Sequence, residues 1–254
     1  MAWQRYVALG DSFTEGLDDP DPVARDVFRG WADLTASELA RSSPDFRYAN
    51  LAIRGRLYDA IVTEQVEPAL AMGPDLVSFA AGGNDVLRRS CDPVALMRRF
   101  DGTIEKLRAS GADVLIFRFA NVVDRLPGAK LIGPRVRYLN DAVGEVGANH
   151  GARLVDLWND REFDNPAMWS VDRLHLAPRG HQRVAAHVLT ALDVQPPAEW
   201  WEPPAYPRKR SWPIARAQDV RWAGTHLAPW VKRRLTGRSS GDNITAKRPT
   251  LMPM

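Results

Sequence analysis

Three polar residues have the types and spacing that nucleophilic catalysis needs. Ser12 lies in the segment GDSFTEG (residues 10–16), and Asp172 and His175 lie three residues apart in SVDRLHLAPRGH (residues 170–181). A serine oxygen becomes nucleophilic when a histidine takes its proton, and a carboxylate holds that histidine in the required tautomer. Within a loop, Asp172 can reach the ring of His175. The pattern predicts a nucleophile, its general base and an orienting acid.

Each of these residues also has an ordinary structural interpretation. Ser12 can cap a helix, and His175 can be a surface histidine next to an aspartate that caps a turn. Two nucleotide-binding motifs are excluded for residues 10–16. The Gly-x-Gly-x-x-Gly spacing is absent, and so is the Gly-Lys-Ser/Thr ending of a phosphate loop.

Two further segments offer hydrogen-bond donors for a negatively charged oxygen. Asn84, in AGGND (residues 81–85), has an amide that donates without losing a proton. Gly55, at the end of NLAIRG (residues 50–55), lets a backbone N–H come close to a reacting carbonyl. Taken alone, each segment could equally be a glycine turn, with Asn84 or Asp85 as a helix cap.

The elements around these segments alternate between strand and helix. Short apolar runs predict strands at residues 5–9, 46–51, 75–80, 113–117 and 152–157. Helical spacing of apolar residues predicts helices at 31–39, 57–71, 94–107, 135–148 and 181–192. This alternation predicts a three-layer α/β/α fold around a five-stranded parallel sheet. Ligands of such sheets bind beyond the carboxyl ends of the strands, which is where we expect the four segments to lie.

Composition places the chain among ordinary globular proteins. It has 254 residues, of which 45% are hydrophobic and 26% are charged. We expect a catalytic domain at residues 1–197 and an extension at 198–254. The chain has no apolar run long enough for a membrane span and no secretory leader at its start, so we expect a cytoplasmic protein. Its single cysteine, Cys91, excludes an intramolecular disulfide and a thiolate metal cluster.

A cluster of acidic residues follows the Ser12 segment. It consists of Asp18, Asp19, Asp21 and Asp26. Four carboxylates could suggest calcium, but the Gly and Glu positions of a calcium loop are missing and two prolines interrupt the run. We therefore expect a solvated loop and no metal.

The extension carries the positive charge of the chain. Residues 198–254 have a net charge of +7 and residues 1–197 a net charge of −4, and five of the nine tryptophans lie in the extension. Its prolines and polar residues predict a helix at 213–227, a basic turn at 230–235 and disorder at 238–254. The tryptophans could make weak contact with a membrane surface or pack onto the acidic body, and the prolines favour packing. We expect no nucleic-acid partner, because no recognition motif is present.

Together, the four segments resemble the conserved blocks of the GDSL/SGNH hydrolases over residues 4–192. The residues that give that family its name would be Ser12, Gly55, Asn84 and His175. Phe13 replaces the leucine of the GDSL consensus, and Ala52 stands where many members have glycine, which leaves the fine substrate preference open. The resemblance implies a flavodoxin-like fold with strand order 2-1-3-4-5.

The resemblance also implies an activity. The expected reaction is hydrolysis of a small carboxylic ester through an acyl-enzyme on Ser12, with His175 as base and Asp172 as its partner. The backbone N–H groups of Ser12 and Gly55 and the side chain of Asn84 would form the oxyanion hole. No metal or cofactor is needed, and the expected partner is a small-molecule ester. The same residues would serve a thioesterase or an acyltransferase, and a catalytically idle ligand-binding module is the alternative of a different class.

Overall fold

The central sheet has six strands in the order β5-β4-β3-β1-β2-β6. A computed structural model describes residues 3–24, 27–126, 128–207, 216, 219–229 and 239–254. The strands are β1 (Arg5–Gly10), β2 (Arg47–Asn50), β3 (Leu76–Ala80), β4 (Asp113–Arg118), β5 (Arg153–Asp156) and β6 (Arg248–Pro253). The first five are parallel, and the predicted order 2-1-3-4-5 is confirmed among them.

Helices connect the parallel strands. They are α1 (Ser12–Glu15), α2 (Gly30–Ala40), α3 (Tyr58–Ile61), α4 (Glu67–Ala71), α5 (Gly83–Val86), α6 (Pro93–Ala109), α7 (Ala129–His150) and α8 (Pro178–Ala191). A π-helical turn, Val62–Val66, joins α3 to α4, so the predicted helix at 57–71 is continuous. Helix α7 begins before the predicted residue 135, because Pro134 lies inside it rather than ending it.

The two faces of the sheet bury two separate apolar layers. Along β1, Tyr6 and Ala8 face the layer formed with α2 and α8, while Val7 and Leu9 face the layer formed with α3, α4, α6 and α7. This alternation is the two-residue period of a strand. All five residues of β3 are buried, as expected for a strand covered on both sides. The predicted three-layer α/β/α architecture is confirmed.

The sixth strand corrects the prediction of five. Strand β6 pairs with β2 in the antiparallel direction, so the expected disorder of residues 238–254 is wrong for Arg248–Pro253. Without β6, the backbone groups on the outer side of β2 would be unpaired at the edge of the sheet. The side chains of β6 are half-buried or exposed, so its composition resembles that of a disordered tail.

The extension also contacts the body of the protein through tryptophans. Trp200 is buried, and Trp201 and Trp222 lie against the guanidinium groups of Arg183 and Arg173. These contacts support the packing alternative. Residues 219–229 are helical, including the π turn Ala223–Leu227, whereas the basic turn predicted at 230–235 lies outside the described residues. In the part of the chain that the structure describes, no helix is long and apolar enough to cross a membrane.

Candidate active site

Ser12 stands at the carboxyl end of β1, in the middle of the sheet. It is the first residue of α1, so its backbone N–H has no partner within that helix. The preceding residue, Asp11, caps the helix by accepting a hydrogen bond from the Phe13 N–H at 3.0 Å. The capping role that the sequence offered for Ser12 therefore belongs to Asp11. This leaves the hydroxyl of Ser12 available for chemistry.

A buried glutamine holds the turn before Ser12. The side chain of Gln65 accepts a hydrogen bond from the Gly10 N–H at 2.8 Å and donates one to the Gly10 carbonyl at 2.9 Å. Gln65 lies in the π turn Val62–Val66, and π turns are frequent at functional sites. Sequence reasoning missed this residue, since a glutamine within a helix gives no signal of a contact 55 positions away.

Ser12, His175 and Asp172 form one chain of hydrogen bonds. Nε2 of His175 lies 3.0 Å from Oγ of Ser12, and its Nδ1 lies 2.5 Å from Oδ2 of Asp172. The other carboxylate oxygen of Asp172 accepts the backbone N–H groups of Leu174 and His175, both at 2.9 Å. The structure thus brings together the three predicted catalytic residues, with the carboxylate fixed by the loop that also carries the histidine.

Burial and hydrogen bonding shift the pKa values of Asp172 and His175 in opposite directions. Burial disfavours the charged forms of both residues, but the hydrogen bond and charge of Asp172 outweigh it and raise the pKa of His175. Hydrogen bonds from His175 and Leu174 likewise hold the pKa of Asp172 well below its usual range, against the effect of burial. A histidine of this kind is a stronger base than free imidazole, and its partner stays ionised.

Asn84 is close to the nucleophile turn but is already hydrogen-bonded. Its Nδ2 donates to Oδ2 of Asp11 at 2.8 Å and to the carbonyl of Arg56 at 3.1 Å. Burial raises the pKa of Asp11 to about 6. Because both amide hydrogens have acceptors, Asn84 must give up or share one of them to donate to a substrate oxygen. Sequence reasoning assigned no role to Asp11, although its place beside Ser12 was a signal.

Gly55 lies in the turn next to Asn84. It has a left-handed backbone with φ of 74°, and the following residue supplies the carbonyl that Asn84 binds. An added Cβ at Gly55 would overlap the hydroxyl of Ser239, so the extension lies directly against this turn. Gly55 is not among the residues that line the cavity beside Ser12. Its backbone N–H as an oxyanion donor stays a prediction.

The cavity beside Ser12 has a volume of about 110 Å³. Its polar walls include Asp11, Ser12, Asn84 and His175. Its apolar walls are Phe13, Leu17, Leu87, Phe119, Ala120, Val122, Leu157, Trp169, Leu174 and Leu176. His181 also lines it, and burial lowers the pKa of this histidine to about 4. The neutral ring accepts a hydrogen bond from the backbone N–H of Trp31 and donates one to the Leu17 carbonyl, which gives His181 a structural role.

The acidic loop is more ordered than its composition predicts. Asp19 is buried, pairs with Arg29 at 3.2 Å and accepts the Gly30 N–H at 3.0 Å. Asp18 accepts a hydrogen bond from Ser170, in the loop that also carries Asp172 and His175. The expectation of a solvated loop is therefore wrong for both residues, whereas Asp26 lies outside the described residues. The partners of Asp18 and Asp19 lie later in the chain, at Ser170 and at Arg29 and Gly30, and composition does not reveal such contacts.

One grouping of metal-ligand atoms occurs among the residues that the structure describes. It consists of Asp18, Asp172 and His175, whose ligand atoms lie within 4.8 Å of one another. Nδ1 of His175 and Oδ2 of Asp172 are 2.5 Å apart and face each other. This spacing is that of a hydrogen bond and leaves no room for a cation between the two atoms.

Comparisons with known proteins agree with this architecture. TesA is 25% identical over 74% of this chain and 98% of its own, with a TM-score of 0.61. LAE5, an alpha/beta hydrolase enzyme from the metagenome of Lake Arreo, is 21% identical over 75% of this chain and 95% of its own, with a TM-score of 0.63. Axe2, an acetylxylan esterase from Geobacillus stearothermophilus, is 18% identical over 78% and 96%, with a TM-score of 0.61.

The last two likenesses concern the fold alone. No curated protein matches the chain at a significant level. The model of the GDSL-like lipase/acylhydrolase family matches residues 8–183, which include Ser12, Asn84, Asp172 and His175. This match confirms the resemblance drawn from the sequence. The chain belongs to the GDSL-like lipase/acylhydrolase family.

Proposed function

We propose that the protein is a serine hydrolase that cleaves small carboxylic esters through an acyl-enzyme on Ser12. The observation that carries this proposal is the continuous hydrogen-bond chain from Ser12 through His175 to Asp172, with distances of 3.0 and 2.5 Å. Membership in the acylhydrolase family supports the same class of reaction.

The proposed reaction has two halves. In the first, Oγ of Ser12 attacks the acyl carbonyl while Nε2 of His175 takes the proton of the hydroxyl. Asp172 stabilises the imidazolium that forms. The intermediate then collapses, the alcohol leaves with the proton from His175, and the acyl group stays on Ser12. In the second half, His175 takes a proton from water, which attacks the acyl carbonyl. The bond to Ser12 then breaks, the acid leaves, and His175 returns the proton to Oγ of Ser12.

The negative charge on the carbonyl oxygen needs donors that are in place before the reaction. The backbone N–H of Ser12, which the helix does not use, is the first donor that we propose. The amide of Asn84 and the backbone N–H of Gly55 are the others. Both lie near Asp11, the residue before Ser12. Asn84 donates a hydrogen bond to the Asp11 carboxylate and another to the carbonyl of Arg56, which follows Gly55.

The surroundings of Ser12 support a small, uncharged acyl group. Most cavity walls are apolar side chains. The two arginines beside Gly55 do not argue for an anionic substrate, because Arg54 is paired with Glu15 and Arg56 with Glu64. The acetylxylan esterase among the structures of similar fold makes a sugar acetate a reasonable test compound.

A panel of substrates tests the proposal. We expect the wild type to hydrolyse p-nitrophenyl acetate and butyrate, and the Ser12→Ala variant to show only the background rate. Ser37→Ala, at an exposed position of α2, is the matched control and should retain full activity. Full activity of Ser12→Ala would refute the proposal. Preference for an acetyl thioester over the oxygen ester would indicate a thioesterase. Transfer of the acyl group to an added alcohol would indicate an acyltransferase. Binding of the ester without turnover would indicate a catalytically idle module.

A further inference from the structure

A second carboxylate lies next to the hydrogen-bond chain. Oδ2 of Asp18 accepts a hydrogen bond from the Ser170 hydroxyl at 2.5 Å and lies 4.0 Å from Nδ1 of His175. The same hydroxyl lies 2.9 Å from Oδ1 of Asp172. A hydroxyl has one proton, so Ser170 can donate to only one of the two carboxylates at a time. Ser170 therefore links Asp18 to the acid that orients the histidine.

The backbone holds Asp18 in this place. Its φ of 70° is in the left-handed region, which few residues other than glycine adopt, although aspartate adopts it more often than most. The next residue, Asp19, is held firmly. Its N–H donates a hydrogen bond to the Gly16 carbonyl, and its carboxylate pairs with Arg29 and accepts the Gly30 N–H. These contacts hold the backbone next to Asp18 in place, and its carboxylate lies against the loop that carries Ser170, Asp172 and His175.

The charged groups that face His175 come from three parts of the fold. Asp11 lies in the turn between β1 and α1, Asp18 in the loop after α1, and Asp172 in the loop before α8. Two other titratable residues are near. His181 on α8 is neutral because burial lowers its pKa to about 4, and Arg173 directs its guanidinium to Asp219 at 2.8 Å. The imidazolium of His175 is therefore surrounded mainly by negative charge.

We propose that Asp18 is a positioning residue for the ester hydrolysis proposed above: it stabilises the imidazolium of His175 across 4.0 Å and supports Asp172 through Ser170. The inference rests on the proposed function for its kinetic consequence only. The interaction between Asp18 and His175 is a property of the folded protein and can be measured without a substrate.

The proposal sets the direction of a pH effect. Hydrolysis needs neutral His175, so a raised pKa places the rising limb of kcat/KM above pH 6.5. Removing the charge of Asp18 makes the imidazolium less stable and moves that limb to lower pH. Two unit charges 4 Å apart interact weakly in water and more strongly near a protein surface. We therefore expect the midpoint of the rising limb to fall by roughly 0.5 to 1 pH unit or more.

The experiment uses the full chain and two measurements. The titration of the His175 ring is followed by NMR, with His175→Asn to assign the signal, and kcat/KM for p-nitrophenyl acetate is measured against pH. In Asp18→Asn both midpoints should fall together. Asp18→Gly, which suits the left-handed backbone, repeats the test if the asparagine variant does not fold. Asp21→Asn, in the same loop, where the carboxylate accepts the backbone N–H groups of Val23 and Ala24, should leave both midpoints unchanged.

Two results would overturn the inference. The first is an unchanged NMR midpoint of His175 in the folded Asp18 variants. The second is a fall in Ser170→Ala, which keeps both charges, as large as the fall in Asp18→Asn, because the whole effect would then belong to the hydroxyl and none to the charge of Asp18. Absence of hydrolysis in the wild type, together with a shifted NMR midpoint, would refute the proposed function and leave the interaction of Asp18 with His175 standing.

Discussion

At the scale of single residues, the amide of Asn84 joins two neighbours in the structure and is also proposed to bind the substrate oxygen. Its hydrogens join the Asp11 carboxylate to the Arg56 carbonyl, and the same hydrogens are the side-chain donors proposed for the oxyanion. A substrate oxygen that gains negative charge competes with these two acceptors. An amide held in place by neighbours needs little rearrangement when the charge develops, which is the condition for effective stabilisation.

Asn84→Ala tests the contribution of this amide. We expect kcat for p-nitrophenyl acetate to fall by about 10²- to 10³-fold, the usual loss for one oxyanion donor, with a much smaller change in KM. Steady-state kinetics checks this result. Asn159→Ala, which removes an exposed amide far along the chain, is the control. A kcat within threefold of the wild type would exclude Asn84 from the oxyanion hole.

The sequence made some site residues predictable and not others. Ser12 follows a strand and a glycine, and Asp172 and His175 are close neighbours, so their relation could be predicted locally. The contact between Asp18 and Ser170 joins residues 152 positions apart. Aspartate and serine are common in loops, so only the folded chain reveals that contact.

At the scale of elements, two glycines bring α1, which carries Ser12, against α2. Gly16 ends α1 and Gly30 begins α2, and both have left-handed backbones, with φ of 93° and 72°. A Cβ added to either glycine would overlap the backbone of the other. The position of α1, and with it Ser12, therefore depends on a contact that only glycine allows.

Gly30→Ala should destabilise the protein. Left-handed backbone strain and the overlap with Gly16 together should lower the free energy of unfolding by roughly 2 to 4 kcal/mol. Urea denaturation followed by tryptophan fluorescence measures this change. Gly102→Ala is the matched control, because Gly102 lies within α6 with open space around it, and it should stabilise by about 0.5 to 1 kcal/mol. Equal effects of the two variants would contradict the account.

Apolar periodicity predicted the order of strands and helices because it reports which face of each element is buried. It did not predict the start of α7, since the breaking tendency of Pro134 is overridden by packing. It also did not predict the π turn Val62–Val66, which contains Gln65, the residue whose side chain binds Gly10. Such local departures from ideal helices are decided by tertiary contacts.

At the scale of the whole molecule, the extension completes the fold. Strand β6 covers the edge of the sheet, and Ser239 lies against Gly55. Arg173, which follows Asp172, pairs with Asp219 and lies over the ring of Trp222. The extension therefore contacts two of the loops that carry site residues. Composition favoured packing of the extension onto the acidic body, but it could not predict which loops the extension contacts.

Lys247 anchors the last strand. Its side chain is only 13% exposed, and its ammonium group pairs with Asp33 at 2.9 Å and donates to the carbonyls of Phe28 and Arg29. Lys247→Ala leaves a buried carboxylate without its cation, so we expect the free energy of unfolding to fall by about 3 kcal/mol.

The control is Lys130→Ala, at an exposed position of α7, which should change the stability by less than about 0.5 kcal/mol. Both variants are compared by urea denaturation. A Lys247 variant as stable as the wild type would mean that the buried ion pair does not hold the strand in place.

The central claim is that Ser12 is a nucleophile activated by His175, and covalent trapping tests it most directly. The folded protein is treated with a fluorophosphonate probe, and the modified peptide is mapped by mass spectrometry. We predict one adduct on Ser12, which is absent in Ser12→Ala and slow to form in His175→Asn. Ester hydrolysis by a protein that carries the label on another residue, or that resists labelling altogether, would contradict the claim.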